Sequence, residues 1–160
     1  FDVELVGKLI DNLVKGKAPG LDELSAEHLK FSHPIVTILL TKLFNLCIYV
    51  GHIPAKFGAS YTVPIPKCDG RVRALGVDDF RGISISPIIS KVFELSVLDR
   101  YSSYFSTSDH QFGFKKHTST MHAIYCVRNV VESFTNNGST VNVCALDLSK
   151  AFDRMNHYAN

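Results

Sequence analysis

The sequence contains no tryptophan, only two methionines, and four cysteines that are widely scattered. Cys47, Cys68, Cys126 and Cys144 form no C-x-x-C pair, and none has a histidine at zinc-ligand spacing. A disulfide framework or a structural zinc is thus excluded as the organising device. A reducing intracellular compartment, nucleus or cytoplasm, is the expected setting. There is no secretory leader pattern and no apolar run long enough to span a bilayer, so no membrane partner is expected. The stretch Ile35 to Val50 comes closest, but Thr37, Thr41, Lys42 and Asn45 interrupt it. A strong charge is also lacking. The formal net charge is +2 with the seven histidines neutral, which excludes a polycationic tail and confines any nucleic-acid contact to local basic patches. Internal repeats, low-complexity stretches and linkers are absent. The first residue is Phe rather than Met, from which an upstream portion is expected.

What is present suffices for a core: 46 % of the 160 residues are hydrophobic and 20 % charged, which excludes disorder as the main state. Phe1 to Val14 follows a helical apolar stripe, ended by a turn at 16–20. Ser25 caps a short helix reaching Lys30, and Pro34 stops it. Ile35 to Val50 reads as a mostly buried helix closed by Gly51. Tyr61 to Lys67, with Pro64 and Pro66, reads as an edge strand. It returns after a turn at 68–70 through either Val72 to Leu75 or Arg81 to Ile85. Ser86-Pro87 is a cap followed by proline at the first helical position, opening a helix to about Tyr104. Thr118 or Ser119 caps another, ending at Asn137-Gly138. Val141 to Asp147 is expected as a central strand, and Lys150 to His157 as the start of a further helix. The pattern implies an α+β fold with helices packed on a short antiparallel hairpin.

Asp147 ends an apolar strand-like run, where open sheets often hold ligands and metals. Taken singly, it reads as a capping acid, Phe152 as a core aromatic and Asp153 as a surface acid. As a unit, Ala145-Leu146-Asp147-Leu148-Ser149-Lys150-Ala151-Phe152-Asp153 resembles the first catalytic motif of reverse transcriptases of the non-LTR retrotransposon type and their group II intron relatives. The resemblance implies that Asp147 is a catalytic residue binding two Mg²⁺ ions, with Mn²⁺ as an alternative, and that the Leu148 carbonyl adds a ligand. It implies that Phe152 lies under the sugar and rejects a 2′-hydroxyl. Two metals roughly 3.5–4 Å apart would activate a primer 3′-hydroxyl and neutralise the leaving pyrophosphate.

The other motifs resemble the same family. Lys67, Arg71, Arg73 and Arg81 cluster around the hairpin, a pattern equally expected of a solvated edge. Val63 to Lys67 followed by Asp79 to Ile85 resembles the family's paired fingers motifs. On that match Lys67 and Arg81 grip the phosphates of a deoxynucleoside triphosphate. Arg81-Gly82 stands where the family has Arg-Pro, a departure expected to loosen a turn. Gln111-Phe112-Gly113-Phe114-Lys115-Lys116-His117 resembles the segment before the first catalytic strand. It implies template or primer contacts by Gln111, Phe112, Gly113, Lys115 and Lys116. The plain alternative there is a basic loop with two buried Phe anchors. The segment at 16–30 is similar to the family's pre-fingers region. It lacks the order of a phosphate loop and reads as scaffold.

The resemblance implies a helical pre-fingers region at 1–57, fingers at 58–138, and the first palm strand with its following helix at 139–160. It implies an RNA-directed DNA polymerase, with RNA template, DNA primer and dNTPs as partners. No Asp-Asp pair follows Asp147, so the segment alone is expected not to polymerise and to expose the apolar flanks of its last strand. Two other readings stand beside this one: a non-catalytic nucleic-acid-binding remnant of a mobile element, and a phosphotransferase with a nucleophilic Asp147. The second of these wants another acid where Ser149 stands.

Overall fold

The computed structural model describes residues 1–67, 76–105, 107–115 and 117–148. Among them are five α-helices and one two-stranded antiparallel sheet, an α+β arrangement as expected. The chain divides into two compact units, Phe1–Ser106 and Thr107–Asn160.

In the first unit, α1 (Val3–Asp11) starts where Asp2 Oδ1 accepts the Leu5 amide at 2.7 Å, an N-cap bond that satisfies an otherwise orphaned donor. It packs against α2 (Ala26–Lys30), α3 (Ile35–Val50) and α4 (Ile88–Arg100). Ser25 caps α2 as expected, with its amide donating to His28 Nδ1 at 3.0 Å. α3 spans the expected residues. It closes with Gly51 at φ 67° and bonds from the Gly51 amide to Ile48 O and from the His52 amide to Cys47 O, a Schellman cap. The expectation of a mostly buried α3 is corrected. Leu40, Thr41, Phe44 and Cys47 are buried, whereas Leu39, Leu46, Tyr49 and Val50 are exposed. The helix is apolar all round, but its neighbours in the unit cover only one side.

Phe93 of α4 is the hub of the core. The rings of Phe44, Phe57 and Phe1 meet it edge-on at centroid distances of 5.3, 5.9 and 6.2 Å. Val6, Ile10, Leu29, Leu40 and Val92 complete the cluster. Buried hydroxyls are satisfied within their own helices: Thr41 donates to Thr37 O and Ser96 to Val92 O, both at 2.8 Å.

Strand β1 (Tyr61–Pro66) pairs with β2 (Phe80–Ile85), so the later of the two expected return segments forms the ladder. The other, 71–75, lies outside the described residues. α4 follows directly. Its cap is Pro87, which supplies a carbonyl to the Lys91 amide at 3.2 Å, and Ser86 is not the side-chain cap the sequence implied. A short 3-10 turn at Ser102–Phe105 carries the chain on to where the helix was expected to end.

The segment at 16–20 serves as scaffold, as read from the sequence. Pro19 O accepts the Tyr61 hydroxyl at 3.0 Å, and Gly20 is buried against the entry to α4. A Cβ on Gly20 would meet Pro87 N at 2.8 Å and Pro87 Cα at 2.9 Å. The Gly16 amide donates to Glu27 Oε1 at 2.6 Å. That bond, more than those from the Glu27 amide and Ser25 hydroxyl, holds the Glu27 carboxyl below the usual carboxylate range.

In the second unit, α5 (Thr120–Asn136) begins after Ser119, whose amide donates to His122 Nδ1 at 3.0 Å. It ends in a second Schellman cap, with Gly138 at φ 77° and the Ser139 amide donating to Phe134 O at 2.9 Å. The strand expected over Val141 to Asp147 does not form. A strand exists only through a ladder to a neighbour, and among the described residues no segment pairs with this run. Val143, Leu146 and Leu148 are exposed. The helix expected at 150–157 lies outside the described residues.

Gly20→Ala is expected to destabilise the chain by about 1–3 kcal/mol, because backbone atoms cannot yield to the new methyl. Phe93→Ala should cost about 3–5 kcal/mol. Both are read from urea midpoints at unchanged slope. Glu27→Gln tests the tether through pH. The folded carboxyl titrates below the ordinary 4.5, so its stabilisation is complete above that value and fades as pH falls through the folded pKa. The stability gap between wild type and variant should therefore be present at neutral pH and vanish in acid; a gap independent of pH would contradict the tether.

Candidate functional site

The hairpin positions two cations by register. Arg81 lies opposite Ile65, and opposed residues of an antiparallel pair share a face. Lys67 is two residues beyond Ile65, and its amide donates to Asp79 O at 2.7 Å, extending the ladder by one step. Lys67 stands at the bend just past β1, so the register sets it at the same end of the hairpin as Arg81 without assigning it a face. Both residues are exposed, and Arg81 forms no ion pair among the described residues. A planar guanidinium and a flexible ammonium near one end of the hairpin are groups of the kind that hold phosphate oxygens.

Gly82 is not in a turn. It sits within β2 opposite Pro64, and a Cβ there would meet Thr62 Cγ2 at 2.8 Å. The expected loosening of a turn is thus corrected: the residue makes room for Thr62, whose hydroxyl lies 3.0 Å from that of Ser84. Arg71 and Arg73 lie outside the described residues.

The loop at 111–118 is tied by its own side chains. Gln111 Nε2 donates to Gly113 O at 3.1 Å, and the Thr118 hydroxyl lies 2.9 Å from Phe112 O and 3.1 Å from Lys115 O. Lys115 pairs with Asp109 at 3.0 Å, an exposed pair that water screens. Phe112 is half-buried. Phe114 is 96 % exposed and stands at φ 57°, in the left-handed region that side chains seldom occupy. The alternative of two buried anchors is therefore wrong for Phe114, which the loop presents outward. His117 is also left-handed, at φ 63°. Nothing in the sequence signalled either conformation, since local strain depends on the loop's internal bonds. Lys116 lies outside the described residues.

Asp147 is exposed, between exposed Leu146 and Leu148. Its carboxylate and the Leu148 carbonyl are hard oxygen donors of the kind Mg²⁺ takes. Among the described residues no group of three or more His, Cys, Asp or Glu lies together, so these two donors would be part of a metal's ligand set and not the whole of it. Phe152, the residue implied as sugar gate, lies outside the described residues. No described helix is long and apolar enough to cross a membrane.

Exposed cations on a hairpin in the first unit, and an exposed aromatic, a basic loop and an exposed carboxylate in the second, leave several chemistries open. Comparison with known proteins narrows this. No family model matches the chain. It is 28 % identical over 159 residues to the RNA-directed DNA polymerase from mobile element jockey of Drosophila funebris, covering 97 % of this chain and 17 % of that protein. It is 29 % identical over 158 residues to the probable RNA-directed DNA polymerase from transposon X-element of Drosophila melanogaster. With the Pol polyprotein of the type-2 retrotransposable element R2DM of Drosophila melanogaster it shares 25 % identity over 140 residues. Along nearly its whole length, then, the chain is similar to the RNA-directed DNA polymerases of non-LTR retrotransposons, as its motifs imply. It spans about a sixth of the length of the curated relatives it matches.

Because the Phe114 ring is exposed and its backbone left-handed, Phe114→Gly is expected to stabilise the chain by about 1 kcal/mol. A lower melting temperature in the glycine variant would show that the ring has a packing role.

Proposed function

We propose that this chain is the nucleotide- and template-gripping segment of an RNA-directed DNA polymerase, corresponding to the fingers and the opening of the palm. The observation that supports the reading is the similarity of nearly the whole chain to mobile-element polymerases, together with the exposure of Lys67 and Arg81 at one end of the β1–β2 hairpin. The hairpin cations bind the triphosphate of an incoming dNTP. The loop at 111–118 contacts template or primer, with Phe114 as a stacking ring and Lys115 exchanging Asp109 for a phosphate. Asp147 and the Leu148 carbonyl are the ligands this segment brings to Mg²⁺, and Phe152 selects deoxyribose. When bound there, Mg²⁺ would supply activation of the primer hydroxyl and neutralisation of the leaving pyrophosphate.

One carboxylate does not organise a two-metal site, so the 160 residues by themselves are expected to bind nucleic acid without extending a primer. In the polymerase that contains this segment, Arg81→Ala should raise the dNTP concentration needed for half-maximal extension by about ten- to a hundredfold, the loss of one charge-assisted phosphate contact. Asp147→Ala should abolish extension while leaving template binding intact, and Phe152→Ala should relax discrimination against ribonucleotides. Unchanged steady-state extension in the Asp147 variant would reject the metal assignment. Wild-type binding without extension in the intact polymerase would favour the non-catalytic remnant.

A further inference from the structure

The second unit holds a cleft of about 400 Å³ lined by Cys126, Val127, Val130 and Val131 of α5 and by residues 141–144 of the returning chain. Two of its walls end in thiols. Cys126 and Cys144 are both free and both exposed, whereas Cys47 is buried in the core of the other unit. That both cysteines line this cleft follows from chain geometry. From Cys126 to the end of α5 the helix rises about 15 Å. The Schellman cap at Gly138 reverses the chain, and an extended return from Ser139 reaches Cys144 after about 17 Å. The return segment therefore comes level with Cys126 at the position where the second thiol stands. Among the described residues the remaining lining is mostly valine, with Asn142 the one amide side chain.

We propose that Cys126 and Cys144 are a dithiol modification site that closes to an intramolecular disulfide under a peroxide oxidant. One thiolate attacks a peroxide oxygen. The O–O bond breaks, a water leaves after protonation, and a sulfenic acid remains. The second thiol then attacks that sulfur, the S–O bond breaks, the S–S bond forms, and a second water departs. Two thiols and one hydrogen peroxide thus give one disulfide and two waters, the sulfurs losing the two electrons that the peroxide gains. The product would fasten the run carrying Asp147, three residues beyond Cys144, to α5. The site does not depend on the polymerase reading.

The test treats the whole folded 160-residue chain with equimolar hydrogen peroxide at low protein concentration, alkylates the remaining thiols, and maps a non-reducing tryptic digest. Cleavage after Lys116, Arg128 and Lys150 places the two cysteines on different peptides, 117–128 and 129–150. The expected result is a monomer lighter by two hydrogens and a single linked pair of these peptides. The pair should disappear on reduction and be absent from Cys126→Ser and Cys144→Ser. In Cys126→Ser, dimedone should trap a sulfenic acid on Cys144. Linkage through Cys68 or between chains, separate oxidation of the two thiols in the wild type, or the same mixture of links in guanidinium as in the folded chain would each overturn the proposal.

Discussion

The contact on which the first unit depends is the edge-on meeting of Phe44, Phe57 and Phe1 with Phe93. Phe93 lies on the second turn of α4, and α4 follows β2 with only Ser86 and Pro87 between them. Fixing that ring therefore fixes where the strand carrying Arg81 ends. The backbone of Gly20 presses on Pro87 from outside, and the Tyr61 hydroxyl holds the same loop to the start of β1. The hairpin contributes little to its own stability: nearly every residue of both strands is exposed, and an isolated two-stranded ribbon is marginal in water. The end of the hairpin next to α4 is thus anchored by the loop at 16–20 and by the short link into that helix, and Arg81 lies toward the other end.

The parts of this fold legible in the sequence are those governed by local chemistry. Ser25, Ser119, Gly51 and Gly138 announced helix ends that the backbone forms, because a cap is satisfied by residues three to five positions away. Features set by distant partners were not legible. Two return segments for β1 were equally plausible, since strand choice is made by pairing. Apolar composition in α3 implied a mostly buried helix, but burial depends on how much neighbouring surface exists. For Val141 to Asp147, composition announced a strand, while a strand requires a ladder that no described residue provides.

The candidate site shows the same division. The motifs named Lys67 and Arg81, and the register sets them near one end of the hairpin, because Ile65 pairs with Arg81 and Pro66 with Phe80. The loop motif named Lys115 but gave no sign of Asp109 as its partner or of Phe114 as the ring presented outward. These depend on the Thr118 and Gln111 bonds that shape the loop. The two basic loci consequently differ. Arg81 offers its charge directly, whereas Lys115 must first leave a carboxylate, a modest cost for an exposed pair.

Asp147 poses a sharper physical question. A solvated turn acid is ordinarily flanked by polar or turn-forming residues, yet this one stands between exposed Leu146 and Leu148, with exposed Val143 upstream. Leaving such side chains in water forgoes roughly 1.5–3 kcal/mol for each that could be buried. The run also keeps the β-branched and apolar character of a strand while its backbone donors and acceptors have no ladder. Both deficits are relieved by the same event, pairing with a neighbouring strand, which would bury the leucines and stiffen the backbone between them. Stiffening of that kind would also fix the carboxylate of Asp147: the residues that make the run sticky when unpaired are those that a partner strand would hold still.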